Sequence, residues 1–362
     1  RKVKLMAFIK GMDISVQTEI EQLGAKYYNG GEEGDAVQIL GDYNVNHIRL
    51  RLWNNPYDAD NKPYGGGTND LPTTIKLAQR AARRGMGFLL DLHYSDFWAD
   101  PGTQVKPKAW QDLSGEALER AVYHYTFDTL KELDRNGVLP GMIQIGNEIT
   151  NGLLWSDGKF ENSKTLFRLL AAGIEAVRDY NPAIRTVIHL DWGGDNALYR
   201  KWFDKAAAAE LDFDIIGLSY YPFWHGTLEQ LTHNMNDISS RYGKDVLIAE
   251  TAFPFTTEQI KSEAMIFTEE HAASVPYTID EKGQSQFMLD LMSAIRAVDN
   301  NRGIGFFYWE PTWLNIREAK WATEEGKKYL SNDGISANVW ANLALFDFRG
   351  NALPALQTIR DF

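Results

Sequence analysis

The sequence contains no cysteine, which excludes disulfide bonds, thiolate metal sites and a cysteine nucleophile. It also lacks an excess of basic residues, because 37 Lys and Arg face 49 Asp and Glu and the net charge is −12. Phosphate binding requires clustered Lys and Arg, so this balance argues against a nucleic-acid partner. No apolar run approaches the roughly 18 residues that a membrane helix needs. The composition predicts a globular protein with no membrane span.

Two processing and organisation signals are also missing. The apolar stretch within residues 1–10 is short, mixed in polarity and not followed by a small-residue cleavage site, so we do not expect these residues to be a secretory leader. The chain begins without Met, and we expect that an upstream segment has been removed. No stretch rich in Pro, Gly and Ser interrupts the 362 residues. We therefore expect one domain, residues 1–362, a length that barrel proteins of the α/β class commonly reach.

Aromatic residues, in contrast, are abundant: the chain has 11 Trp, 16 Tyr and 18 Phe. Many must pack in the core, since aromatic side chains bury large areas. Flat aromatic faces also suit a cleft that stacks on the apolar faces of sugar rings. Most of the tryptophans follow predicted strands, namely Trp53, Trp98, Trp110, Trp155, Trp192, Trp224, Trp313, Trp321 and Trp340. This distribution favours a sugar-binding cleft.

Eight short apolar segments alternate with eight helical patterns. The segments are rich in Ile, Val, Leu and Phe and are bounded by Gly, Asp, Asn or Pro, as expected of buried parallel strands. The predicted strands are residues 8–15, 47–53, 87–94, 142–148, 185–191, 215–222, 245–253 and 304–311. The predicted helices are residues 34–43, 73–84, 114–133, 162–180, 196–211, 227–242, 282–299 and 353–359. Eightfold alternation predicts an α/β fold, a (β/α)₈ TIM barrel, with an open doubly wound sheet as the rival.

Two glutamates end predicted strands. Glu148 ends the fourth strand and Glu250 ends the apolar part of the seventh. A buried carboxylate is costly, so one such Glu would indicate a structural salt bridge or a solvated strand end. Two of them across the catalytic face of a barrel instead favour glycoside hydrolysis, which requires two carboxyl groups flanking the scissile bond.

Several motifs occur in a fixed order along the chain. They are HYSDFWADP (93–101), IGNEI (145–149) and FYWEP (307–311), with the shorter IRLRLW (48–53), HLD (189–191), YPF (221–223) and ALFD (344–347). Together they resemble glycoside hydrolase family 53, the endo-β-1,4-galactanases of clan A. The resemblance runs from about residue 8 to residue 362.

The resemblance implies a retaining hydrolase of β-1,4-galactan and of arabinogalactan, the side chains of pectin. Glu148 would be the acid/base and Glu250 the nucleophile, with carboxyl groups roughly 5–5.5 Å apart. The implied partners are the polysaccharide and galacto-oligosaccharides. We expect a secreted or cell-envelope protein that acts as a monomer.

Three side chains are candidates to support the nucleophile. Arg49 and Arg51 lie two apart on the second strand and therefore share a face. An inward Arg needs a partner, and Glu250 is the expected one, although the spacing does not say which Arg contacts it. The alternative is a surface pair outside the barrel. The family also implies that Tyr221 donates its hydroxyl to the nucleophile.

The remaining candidates are predicted to bind substrate. Asn147 would bind the sugar 2-hydroxyl, and Trp309 would form the floor of the subsite at the scissile bond. The neutral imidazole of His93 could bind another sugar hydroxyl. Each has a structural alternative: a strand-end amide, core packing or a structural histidine. The full substrate-binding set is Asn147, His93, Asp91, Trp98, Asp191, Trp192 and Trp309.

We expect no cofactor and no metal. Bacterial members of the resembled family often hold calcium in the loop after strand seven through an Asp-, Asn- and His-rich run. Residues 255–281 lack such a run, although Glu263, Glu269, Glu270 and Asp280 supply oxygen atoms. Calcium is therefore possible there but not favoured.

Three rival functions share parts of this pattern. Another clan A retaining endo-glycanase, such as a mannanase, cellulase or xylanase, would keep both glutamates and differ in its loops. A non-catalytic galactan-binding protein would not require the pair. A barrel isomerase of phosphorylated sugars would need a Gly-rich phosphate loop after strands seven and eight, which the sequence lacks there.

Overall fold

The computed structural model describes residues 7–258, 266–330 and 336–362. Eight parallel strands close into a barrel in the order β1-β8-β7-β6-β5-β4-β3-β2. The strands are β1 (Ile9–Asp13), β2 (His47–Leu52), β3 (Gly87–Leu92), β4 (Met142–Ile145), β5 (Arg185–Leu190), β6 (Ile215–Ser219), β7 (Asp245–Thr251) and β8 (Gly303–Trp309). All eight predicted strands are present, each one to three residues shorter than its apolar segment, and the (β/α)₈ fold is confirmed.

Eight helices follow the strands and cover the barrel. They are α1 (Ala36–Asp42), α2 (Leu71–Ala82), α3 (Gly115–Arg135), α4 (Ser163–Tyr180), α5 (Asn196–Ala208), α6 (Leu228–Tyr242), α7 (Glu281–Arg296) and α8 (Pro354–Asp361). Several begin at a capping side chain: Asp70 accepts from the Thr73 amide of α2, and Thr227 forms a capping box with Gln230 of α6. Such caps satisfy amides that a helix leaves unpaired at its first turn. None of the described helices has the length and apolar character needed to cross a membrane.

Smaller elements decorate the loops. Short helices cover Gln17–Gln22, Glu269–Ala272 and Glu324–Leu330, and 3₁₀ turns cover Lys108–Trp110, Ile149–Asn151, Phe160–Asn162, Asp299–Asn301 and Ala341–Leu343. Two hairpins pair Tyr27–Asn29 with Glu32–Gly34 and Gly152–Leu153 with Gly158–Lys159. The second hairpin lies in the loop after β4, which also carries Glu148.

Side-chain alternation divides the barrel interior into an apolar layer and a polar layer. The apolar cluster consists of Ile9, Leu89, Met142, Val187, Ile215, Leu247, Ile304 and Phe307, all buried. Residues two positions further along the strands share the same face, and these include Asp91, Gln144 and His189. The strands therefore present hydrocarbon at one end of the barrel and hydrogen-bonding groups at the other.

Candidate active site

Glu148 and Glu250 line one cavity of about 260 Å³ at the end of the barrel where the strands finish. Glu250 lies within β7, and Glu148 follows β4 by three residues. Around the two carboxyl groups the cavity is lined by Arg51, His93, Trp98, Ala99, Asp100, Pro101, Asn147, Asp191, Tyr221, Trp224, His225, Ile266, Trp309, Trp321 and Trp340. The structure thus brings together two carboxyl groups that lie about a hundred residues apart in the sequence.

Glu250 is held by a cation and a hydroxyl. Its Oε1 lies 2.8 Å from Arg49 Nη1, and its Oε2 accepts a 3.0 Å hydrogen bond from the Tyr221 hydroxyl. The residue is only 6% exposed. Burial raises the pKa of Glu250 to about 7, with a further contribution from the negative charges of Asp91 and Asp13, whereas the Arg49 charge and the Tyr221 hydroxyl both act to lower it. These contacts favour the ionised form, which a nucleophile needs.

Glu148 has the opposite surroundings. It is half-buried, and its Oε1 accepts a 2.6 Å hydrogen bond from Ser219 Oγ. Burial raises the pKa of Glu148 well above its ordinary value, and the negative charges of Glu250 and Asp191 raise it further. No cation contacts it among the ion pairs of the described residues. Of the two carboxyl groups, Glu148 is therefore the one that retains a proton, as a general acid must.

Arg49, rather than Arg51, contacts Glu250. The guanidinium of Arg49 is fully buried and also binds Asp13 Oδ2 at 2.7 Å and Asp91 Oδ2 at 2.9 Å. Its Nε donates to Gln144 Oε1 at 2.8 Å. The register explains these contacts, because Asp13 on β1 is directly beside Arg49 on β2. Both arginines point into the barrel, so the alternative of a surface pair is wrong.

Arg51 forms an ion pair with a different buried residue, Glu310. Its Nη1 lies 2.5 Å from Glu310 Oε1, and its Nη2 donates to the Gly66 carbonyl at 2.6 Å. Its guanidinium carbon lies 4.4 Å from the centre of the Trp98 ring. Gly66 has φ +61, and a Cβ there would meet Trp98 at 2.7 Å, so only glycine lets the loop approach this closely. Arg51 thus fixes the loop after β2 against an aromatic wall.

Asp91 and His93 are engaged within the protein. Asp91 accepts from Arg49 and Gln144. Burial acts to raise the pKa of Asp91, but the Arg49 charge and the contact with His93 together lower it below its ordinary value. His93 Nδ1 accepts from Trp53 Nε1 and from the Ala99 amide, each at 3.1 Å. Both donors require a lone pair on Nδ1, so a neutral His93 carries its proton on Nε2, 3.2 Å from Asp91. Both ring nitrogens are therefore occupied before any sugar binds.

Asn147 lines the cavity with its amide fixed in orientation. Its Oδ1 accepts from Arg49 Nη2 at 2.9 Å, and its Nδ2 donates to the Ala99 carbonyl at 2.8 Å. An arginine can only donate, so the oxygen of the amide must face Arg49. One Nδ2 hydrogen remains for another acceptor, which is compatible with the predicted contact to a sugar hydroxyl.

Nine of the ten tryptophan candidates divide into three groups, and the tenth, Trp155, is half-buried and lines neither the cavity nor the neighbouring groove. Trp98, Trp224, Trp309, Trp321 and Trp340 line the cavity. Trp53, Trp110 and Trp313 are buried in the core, so for them the prediction of a cleft position is wrong.

Trp192 is 47% exposed and lines a neighbouring groove of about 810 Å³ instead of the cavity. Asp191 does line the cavity, and its carboxyl pairs with the Thr150 hydroxyl. Burial raises the pKa of Asp191 to about 6. His225 lines both the cavity and the groove, so the two spaces adjoin.

Sequence reasoning missed three polar residues of the site: Ser219, His189 and Gln144. Ser219 contacts Glu148, His189 Nε2 lies 2.8 Å from Ser219 Oγ, and Gln144 Nε2 lies 3.0 Å from His189 Nδ1. A signal for Ser219 was available, since it lies two residues before Tyr221 and shares its inward face.

Four residues that lie within three positions after the end of a barrel strand have left-handed backbone although they are not glycine. Tyr94, Glu148, Trp192 and Glu310 have φ between 45 and 54 and follow β3, β4, β5 and β8. Residues other than glycine adopt this backbone conformation at a cost in free energy. The turns place each side chain just beyond the end of its strand.

Three of the four acidic residues considered as calcium ligands lie in described parts of the structure. Asp280 caps α7, its Oδ1 accepting from the Gly283 amide at 2.7 Å, and Glu269 and Glu270 begin a separate short helix. Glu263 lies outside the described residues. Within 7–258, 266–330 and 336–362, no three His, Asp or Glu are grouped as metal ligands.

Comparison with known proteins finds relatives that all point to one family. The model of glycosyl hydrolase family 53 matches residues 9–359. The solved Ignisphaera aggregans GH53 catalytic domain is 42% identical, with a TM-score of 0.92 over 98% of this chain and 95% of that one. The endo-beta-1,4-galactanase of Bacillus subtilis is 36% identical over 98% of this chain and 85% of its own length. The arabinogalactan endo-beta-1,4-galactanase of Cellvibrio japonicus is 34% identical over 96% and 89%, respectively.

Proposed function

Because the chain belongs to glycosyl hydrolase family 53, we propose that it hydrolyses internal β-1,4-galactosidic bonds of galactan and type I arabinogalactan, with retention at the anomeric carbon. The names of the Bacillus subtilis and Cellvibrio japonicus relatives support this substrate. The observation that carries the proposal is the pair of carboxyl groups in one cavity with opposite surroundings. Glu250 is ion-paired with Arg49, whereas Glu148 faces negative charge.

In the first step, the ionised Glu250 attacks the anomeric carbon and forms a glycosyl–enzyme ester. The glycosidic C–O bond breaks at the same time, and the Glu148 proton passes to the departing oxygen. Arg49 and Tyr221 hold both Glu250 oxygens, which orients the carboxylate and keeps it charged before attack.

In the second step, Glu148 acts as a base. It is now a carboxylate, takes a proton from water, and the resulting hydroxide attacks the anomeric carbon as the ester bond to Glu250 breaks. Loss of the Glu250 charge on ester formation removes one of the negative neighbours that hold a proton on Glu148. The change of role from acid to base therefore follows from the electrostatics of the pair.

Substrate binding is assigned to the walls of the cavity and groove. Asn147 and Asp191 offer polar groups beside Glu148, and Trp98 and Trp309 offer aromatic faces. His93 contributes indirectly, by accepting a hydrogen bond from the Ala99 amide in the cavity wall. Asp91 contributes through its ion pair with Arg49. Trp192 extends the aromatic surface into the adjoining groove. A cavity that adjoins a larger groove suits a polysaccharide chain bound across several subsites.

Digestion of unbranched β-1,4-galactan tests the proposal. The viscosity of the solution should fall early, before much reducing sugar appears, because internal cuts shorten chains faster than they release ends. The newly formed anomeric centre should be β when observed by proton NMR at early times. Parallel digests of mannan, glucan and xylan test the clan A rivals. If any of these polysaccharides is hydrolysed faster than galactan, that polysaccharide is the preferred substrate. Steady release of single galactose units at constant viscosity would contradict internal cleavage.

We also propose that activity needs no metal, because the positive charge beside the nucleophile comes from Arg49. Incubation with excess EDTA, followed by assay on galactan, should leave the rate and the melting temperature within error of the untreated protein. Loss of either one, with recovery on adding CaCl₂ but not MgCl₂, would instead establish a calcium site.

Three further properties stay predictions: one domain over residues 1–362, a monomer in solution, and a location outside the cytoplasm. A polysaccharide substrate supports the last of these, because long galactan chains do not cross a membrane. Sedimentation velocity and fractionation of the producing cells measure the last two, and limited proteolysis tests the first.

A further inference from the structure

His189 is surrounded by groups whose orientations are fixed by other contacts. Gln144 accepts from Arg49 Nε through Oε1 and donates to Asp91 through Nε2, so the nitrogen of its amide must face His189 Nδ1 at 3.0 Å. The Glu148 backbone amide also points at Nδ1, at 3.4 Å.

Two N–H donors therefore converge on Nδ1, against one acceptor, Asn147 Oδ1, at 3.1 Å. A proton on Nδ1 would point at the N–H groups of Gln144 and Glu148, which are also donors. A lone pair on Nδ1 instead accepts from both groups and so satisfies the buried backbone amide of Glu148. The proton of a neutral His189 then lies on Nε2 and is donated to Ser219 Oγ, 2.8 Å away. Burial and the Arg49 charge hold the pKa of His189 well below its ordinary value, so the ring is neutral.

The donor-to-acceptor direction of these hydrogen bonds continues from His189 through Ser219 to Glu148. Because Ser219 Oγ accepts from His189, its own hydrogen is free for Glu148 Oε1, 2.6 Å away. Oε1 is then an acceptor whether Glu148 is protonated or not. We propose that His189 and Ser219 are positioning residues that confine the catalytic proton of Glu148 to Oε2. This inference rests on the proposed function, in which Glu148 is the acid/base.

The confinement matters for catalysis because only a correctly placed proton can reach the departing oxygen. With Oε1 closed to it, the proton lies on a single oxygen of Glu148 at the start of each turnover, which is preorganisation of the acid. The other charged groups around Glu148 are Glu250, Asp191 and Asp100, all negative, so none of them competes to donate to Oε1.

The tautomer of His189 can be measured without any activity. Protein labelled with ¹⁵N-histidine should show His189 neutral from pH 5 to pH 8, with a protonated Nε2 and an unprotonated Nδ1. The signals are assigned by their loss in His189→Gln. A protonated Nδ1 would reverse the chain, place the Glu148 proton on Oε1 and overturn the proposal. Because this readout needs no substrate, failure of galactan hydrolysis would contradict the proposed function and leave this result standing.

Ser219→Ala tests the consequence for the reaction. We expect kcat/KM for aryl galactobiosides with poor leaving groups to fall about tenfold, the effect of losing one hydrogen bond to a charged group. With a dinitrophenyl leaving group, which needs no proton, kcat/KM should stay within about twofold of wild type. The basic limb of the pH profile should move to higher pH, since the Ser219 hydroxyl lowers the pKa of Glu148.

Ser239→Ala is the matched control, because Ser239 is another fully buried serine, on the outer helix α6. It should leave both the leaving-group dependence and the basic limb unchanged. Equal behaviour of the two variants, or an equal loss with both leaving groups in Ser219→Ala, would reduce Ser219 to a packing residue.

Discussion

Glu250→Ala is expected to lose hydrolysis of galactan by four orders of magnitude or more, the order seen when a covalent nucleophile is removed. The fold should survive, because Arg49 keeps two carboxylate partners, Asp13 and Asp91. Azide can enter the space left by the carboxylate and attack the same face of the anomeric carbon. With Glu148 still able to protonate the departing oxygen, the product should be an α-galactosyl azide, detected by mass spectrometry and NMR.

Circular dichroism and the melting temperature verify that the variant is folded. Glu175→Ala, on the outer surface of α4, removes a Glu that does not line the cavity and should behave as wild type with and without azide. Ordinary activity of Glu250→Ala on galactan, or a β-azide product, would show that the nucleophile is another group.

Arg49→Met is expected to move the acidic limb of the kcat/KM profile to higher pH by about 1–3 units, because a close positive charge lowers a carboxyl pKa by that amount. The sign follows from the contacts: Arg49 favours ionised Glu250, so its loss makes Glu250 protonate at higher pH. The free energy of unfolding at neutral pH should fall by about 3–5 kcal/mol, since Asp91 loses its arginine partner and Asp13 keeps only the longer contact, 3.7 Å, with Arg51.

Arg51→Met provides a matched comparison, with the same substitution two residues along the same strand. It also breaks a buried ion pair, with Glu310, and should also destabilise the protein. Because Arg51 does not contact Glu250, its acidic limb should stay at the wild-type pH. The hypothesis fails if the two variants shift the limb equally, or if neither does.

The fold was accessible from the sequence because each strand is buried on both sides. Segments such as GFLLDL, β3, carry apolar residues at nearly every position and are closed by turn-forming residues, so periodicity and length both indicate a strand. The ends were less accurate. At β4 the predicted strand included Glu148, whereas the strand ends at Ile145, because the backbone turns to positive φ at Gly146 and again at Glu148.

The acid/base and nucleophile candidates were also accessible, since carboxylates at the ends of apolar strands are rare without a function. The choice between Arg49 and Arg51 was not, because alternation places both on one face and says nothing of depth in the barrel. Depth decides the partner: Arg49 lies level with Asp13 on the neighbouring strand, and Arg51 reaches Glu310.

His93 illustrates the remaining limit of the sequence. Its position after β3 indicated a group open to a sugar hydroxyl, yet Trp53 and the Ala99 amide occupy Nδ1. Both donors come from loops, whose paths depend on packing that local sequence patterns do not encode. Ser219 was overlooked for a related reason, since its role depends on His189 on the adjacent strand β5 and not on its neighbours in the chain.

The left-handed turns at Tyr94, Glu148, Trp192 and Glu310 set stability against activity in any effort to engineer this protein. Each holds a side chain in a backbone conformation that costs on the order of 1–3 kcal/mol, and glycine would relieve that cost. A screen for heat resistance alone would therefore enrich glycine at Glu148 and Trp192, whose side chains make no buried ion pair, and at Glu148 the gain would come with the loss of the acid/base. Thermostable variants that keep their activity should be sought on the outer helices, where added stability does not compete with the placement of reacting groups.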